Sequence, residues 1–76
     1  MKTHDHPAYD DAMRQAVRLA ATGVEAAVYV DDSGKMFVVP AVERPPQFAA
    51  LCIAQRWNDC TVQLRFAGAM SEWVRA

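Results

Sequence analysis

Apolar residues recur through the first third of the chain with the period of an α-helix. Tyr9, Ala12, Met13, Ala16, Val17, Leu19 and Ala20 follow the i, i+3, i+4, i+7 rule and make one apolar stripe. Asp10, Arg14 and Arg18 step along the opposite side. Pro7 suits the first helical turn, where a missing N–H costs nothing, and Asp10 and Asp11 suit the positive end of the helix dipole. Gly23 supplies a stop. The pattern predicts a helix over 8–22.

The period then changes. Residues 24–30 are rich in β-branched side chains, Asp31-Asp32-Ser33-Gly34 is a turn signal, and residues 35–39 read as a second strand ended by Pro40. This is a β-hairpin with Gly34 at positive φ. Its expected register pairs Val28 with Phe37 and Ala26 with Val39. Val24, Ala26, Val28, Val30, Phe37 and Val39 then share one face, and Ala27, Tyr29, Met36 and Val38 the other. Val42 to Pro46 is a stiff connector, because Pro45 and Pro46 favour extended backbone.

The segment 47–57 is apolar without a break from Phe48 to Ala54, which predicts a second, buried helix. Asn58-Asp59 makes a turn. From Cys60 to Phe66 the chain alternates, with Val62, Leu64 and Phe66 on one side and Thr61, Gln63 and Arg65 on the other, as in a half-buried strand. Gly68 breaks it, and residues 69–75 are expected to form a short last helix with Trp73 folded back on the core. The expected class is α+β: a small three-stranded sheet with two to three helices in the order α-β-β-α-β-(α). The unit from the second strand through the second helix to the third strand fits a right-handed crossover that would make those strands parallel. The strand order stays open. One domain spans residues 1–76, with 1–6 expected to be a flexible tail.

Composition changes this picture in two ways. With 53% hydrophobic and 22% charged residues the chain is globular, and its sheet has two apolar faces but only enough helix to hide one. Eight basic residues against nine acidic ones give a net charge of −1, which offers no long-range attraction to nucleic-acid phosphate or an anionic membrane. The apolar run from Phe48 to Ala54 is far below the ~20 residues a bilayer span needs. Met1 to His6 has no apolar stretch, so no signal peptide is expected and a cytoplasmic location is. Cys52 and Cys60 read there as reduced thiols, Cys52 on a helix and Cys60 at a strand start.

Candidate chemistry is sparse. His4 and His6 with Asp5 form the one metal-like cluster, but a zinc site needs three or four preorganised ligands, so no metal and no cofactor are expected. Asp10-Asp11 and Asp31-Asp32 are explained by a helix start and a hairpin tip rather than by acid–base work. Cys52 lies in the most apolar segment and the histidines only in the tail, which leaves no nucleophile pair. The three glycines, at 23, 34 and 68, are spread over three turns and make no phosphate loop. The run Gly34 to Val39 is similar to the RNP1 pattern of RNA-recognition sheets, but the expected register turns Phe37 inward and leaves Tyr29 alone outside. No enzyme is expected.

The remaining feature is the second sheet face. Tyr29, Met36 and Val38 are expected to stand beside Gln63 and Arg65, an aromatic, a Met and an Arg of the types enriched at protein interfaces. Asp31 and Asp32 at the hairpin tip add a charged guide. A short α/β chain with no catalytic set, a compact hairpin from Val24 to Val39 and exposed charges such as Asp31, Asp32, Glu43 and Arg44 resembles the small inhibitor proteins of phages and mobile elements, anti-CRISPR proteins among them. The resemblance lies in overall character and carries no residue across. It implies steric blocking of a partner protein, since the chain lacks the acidity of inhibitors that mimic DNA. The expected function is therefore a non-enzymatic protein-binding module using Tyr29, Asp31, Asp32, Met36, Val38, Gln63 and Arg65. The alternatives are a homodimeric regulatory or accessory domain closing on the same face, and a weak nucleic-acid binder using Arg14 and Arg18.

Overall fold

The computed structural model describes residues 7–76. One helix, α1 (Pro7–Ala21), is followed by five strands: β1 (Ala26–Val30), β2 (Met36–Pro40), β3 (Cys52–Asn58), β4 (Thr61–Phe66) and β5 (Glu72–Arg75). A single 3-10 turn, Ala41–Glu43, follows β2. The strands form one sheet in the order β2-β1-β3-β4-β5, and every neighbouring pair is antiparallel. The expected three-stranded sheet with two to three helices is thus corrected to a five-stranded antiparallel sheet with one helix, and among the described residues there is no parallel crossover.

The first helix forms where its apolar stripe predicts, and Gly23 (φ 97°) ends it with its N–H donating to the Ala20 carbonyl at 2.9 Å. Its inner side is alanine: Ala12, Ala16 and Ala20 stand one turn apart and are all buried. Without branched side chains between them, helix and sheet approach closely over Ala26, Val28, Cys52, Ala54, Val62 and Leu64. The helix packs on β1, β2 and β3, with a weaker margin on β4. The β5 side of that face extends past its cover.

Two expected helices are strands. Segment 47–57 opens as an irregular loop, in which the Phe48 N–H closes a turn on the Pro45 carbonyl at 3.1 Å, and becomes β3 at Cys52. Its composition suits a helix as well as a strand, and pairing decides: Leu51 donates to the Val28 carbonyl at 2.7 Å, and β3 then takes β1 on one side and β4 on the other. The β3–β4 turn is closed by the Asn58 side chain, which accepts from the Cys60 N–H at 3.0 Å, and by Arg56 pairing with Asp59 at 2.6 Å. Cys60 sits in that turn and Cys52 on a strand rather than a helix. Residues 72–75 likewise pair with β4 instead of coiling after Gly68, so Trp73 does not fold back on the core.

The hairpin register is one residue away from expectation. Val28 pairs with Val38, Tyr29 with Phe37 and Ala26 with Pro40. A slip of one residue exchanges the faces of a whole strand. Met36 and Val38 therefore join the helix side, packed against the core cluster, while Phe37 and Val39 stand with Tyr29 on the other.

Because the alanine seam leaves no room for a larger side chain, Ala16→Leu is expected to lower unfolding free energy by about 1–3 kcal/mol. Urea denaturation followed by circular dichroism measures it; a neutral effect would show that the helix stands off the sheet.

Candidate functional site: the open sheet face

The face away from α1 is divided in two by aromatic packing. At the β2–β1 end, Tyr29 lies between two rings, Phe37 at 5.2 Å and Phe48 at 5.5 Å, both nearly parallel to it. Phe48 comes from the loop between β2 and β3. Arg44 holds that loop by donating from Nη1 to the Phe48 carbonyl, and more weakly to that of Pro45 at 3.4 Å. Lys35 caps the stack, with its ammonium 5.4 Å from the Phe37 ring centre. Tyr29 is only 7% exposed, sealed by a loop and not by a helix.

Among the described residues no such lid covers the β3–β4–β5 end. Strand alternation places Ile53, Gln55, Gln63, Arg65 and Trp73 on it. Between Arg56 and Asn58 the β3–β4 register shifts, so Trp57 is the extra residue of a bulge. Bulges re-aim side chains. Here the Trp57 ring meets that of Trp73 across β4, edge to face, with centroids 5.9 Å apart and planes at 83°. Both remain open to solvent, Trp57 at 61% and Trp73 at 53%. Val42 and Met70 are more exposed still, but they stand singly on connecting segments outside the strands. Arg65 is drawn toward β1 by Glu25, with nitrogen and oxygen 3.1 Å apart at a half-exposed pair worth a few tenths of a kcal/mol.

The residues expected from the sequence are therefore separated. Gln63 and Arg65 lie on the open face. Tyr29 shares that side of the sheet but is buried in the ring stack. Met36 and Val38 line a cleft of about 720 Å³ between α1 and β2, with Tyr9, Ala12, Gln15 and Leu51. Asp31 folds the hairpin turn: its Oδ1 accepts from the Ser33 hydroxyl at 2.6 Å, the Ser33 N–H at 2.9 Å and the Lys35 N–H at 3.0 Å. Asp32 is exposed beside it. Arg14 and Arg18 are exposed on α1, Arg14 3.6 Å from Asp11. Phe37 does share a face with Tyr29, but the two rings stack on each other, so they offer no free platform for a base.

Ile53, Gln55, Trp57 and Trp73 were outside the expected site. The alternation of Ile53, Gln55 and Trp57 with Cys52, Ala54 and Arg56 is visible in the sequence, masked only by the unbroken apolar run before Gln55.

Reactive chemistry is muted. Burial, and then the Glu72 carboxylate, push the Cys52 thiol up to about 11. Burial chiefly raises the Tyr9 phenol as well. Both cysteines are free, Cys52 buried and Cys60 exposed. Among the described residues no group of His, Cys, Asp and Glu is placed to hold a metal, and no helix is long and apolar enough to cross a membrane. His4 and His6 lie outside the described residues. Comparison with protein-family models, curated proteins and solved structures finds no match for this chain.

Alkylation of the native protein at neutral pH should modify Cys60 alone, and unfolding should admit Cys52. Peptide mass spectrometry reads this, and rapid native labelling of Cys52 would contradict its burial. The Ser33 hydroxyl, first, and the Lys35 N–H hold the Asp31 carboxyl below its ordinary value. The stability it contributes is thus complete above the usual carboxylate range and lost as pH falls through the depressed folded-state value. Asp31→Ala should melt earlier than the parent near neutral pH, with the gap closing at strongly acid pH, below the usual carboxylate range. Thermal melts at both pH values test it, and a pH-independent gap would count against the turn network.

Proposed function

We propose that the protein is a non-catalytic binding module that acts by occupying the surface of a partner protein, the mode implied by its resemblance to small phage and mobile-element inhibitors. The observation that carries the reading is the exposed Trp57–Trp73 pair on the open sheet face. Tryptophan brings a large apolar area at low entropy cost and is the side chain most enriched among residues that dominate binding energy. A bulge that lifts one of them out of the ladder, an ion pair that steers Arg65, and two glutamines between them make an apolar centre with a hydrogen-bonding border. The matching partner surface has an apolar pocket for the indoles and acceptors for Arg65, Gln55 and Gln63.

This reading moves the contact set from Met36 and Val38 to Trp57, Trp73, Ile53 and Gln55, and keeps Gln63 and Arg65. Net charge argues against nucleic acid: Arg65 on the face is already paired with Glu25, and Arg56 on the helix side of β3 with Asp59. The test begins with affinity capture from the native cell and continues with the purified partner. Trp57→Ala should keep the circular dichroism of the parent and weaken binding by about 2 kcal/mol, roughly 30-fold. Undiminished affinity in calorimetry would remove the face from consideration.

A further inference from the structure

The two outer edges of the sheet are not alike. On β2, the Asp31 N–H donates to the Lys35 carbonyl and the Ala41 N–H to the Glu25 carbonyl, so the odd-numbered residues of β2 bond to β1. Met36, Val38 and Pro40 direct their backbone groups outward. Pro40 has no N–H to offer, and Lys35 stands at the strand's start; both are devices that blunt an edge.

On β5 the Ala76 N–H donates to the Cys60 carbonyl at 2.9 Å, so Glu72 and Val74 bond to β4 while Trp73 and Arg75 direct N–H and C=O outward. This edge has no proline and no bulge, and among the described residues no strand pairs with it. Beside it on the helix side lies a groove of about 440 Å³ lined by the apolar side chains of Leu64, Val74, Met13 and Val17, and also by Arg14, Arg18 and Arg75.

We propose that β5 pairs with β5 of a second copy of this chain, antiparallel about a two-fold axis through Val74, to join two sheets into one of ten strands. The residue pattern is self-complementary in that register. Trp73 and Arg75 of each chain, whose backbone groups point outward, exchange hydrogen bonds with Arg75 and Trp73 of the other. Their side chains share the open face, so each guanidinium lies against an indole, the cation–π pair that arginine and tryptophan favour. Val74 meets its own counterpart on the helix side, where the two grooves merge. The pairing uses the backbone of β5 and shares Trp73, but not Trp57, with the proposed binding face.

Sedimentation velocity on the full chain is expected to show a concentration-dependent dimer. Arg75→Pro removes one outward N–H without touching the β4 ladder, and Arg75→Glu sets a carboxylate against the Trp73 ring. Each should weaken dimerisation by about tenfold or more while circular dichroism stays that of the parent. Hydrogen exchange at the Trp73 and Arg75 amides should slow as protein concentration rises. A parent chain that stays monomeric at several hundred micromolar, or amides that exchange at a rate independent of concentration, would overturn the proposal. So would variants that dimerise as well as the parent. Protection of those amides only by an added partner protein would assign the edge to a foreign strand and equally overturn pairing between copies. Trp57→Ala should leave the dimer intact, which separates this outcome from loss of the binding face.

Discussion

The architecture depends on how closely one helix can lie on the sheet. Ala12, Ala16 and Ala20 present only methyl groups, and the sheet answers with Ala26 and Ala54 at the centre of the contact. A seam this tight fixes the helix over β1 and its neighbours. A single helix about 10 Å across is too narrow for five strands at about 4.8 Å spacing. The uncovered margin at β4 and β5 is a direct result of that mismatch.

The far side of the sheet solves its exposure by different means. Among the described residues no second helix covers it; instead the β2–β3 loop folds back and sets Phe48 against Tyr29, which stacks on Phe37. Arg44 fastens the loop through backbone carbonyls, which leaves its position independent of side-chain identity at Phe48's neighbours. The sealed end is structural and the open end is where the chain's two indoles gather. This division separates a packed end from a solvent-open end on one surface.

Local pattern was informative where each element answered to its own periodicity. The helix stripe, the hairpin turn and the alternation of β4 could all be read directly. The segment 47–57 could not, because Phe48-Ala-Ala-Leu-Cys-Ile-Ala is apolar at every position and carries no period; only the pairing of β3 with two other strands decides it. The hairpin faces failed for a smaller reason. The turn signal was correct, but pairing Val28 with Phe37 rather than Val38 misassigned Met36, Phe37, Val38 and Val39 at once. Consequently the placement of Gln63 and Arg65 on the open face was legible, since β4 alternates cleanly, whereas Trp57 owes its place to a bulge that no turn or propensity rule announces.

The contrast between the sheet's borders also sets a limit on growth. A strand array with two receptive margins can add molecules without end and become a fibre. Here Pro40 withholds an N–H from one margin, which makes that margin a poorer template for edge-to-edge accretion. The same proline that terminates a hairpin strand thereby disfavours endless strand addition at that border.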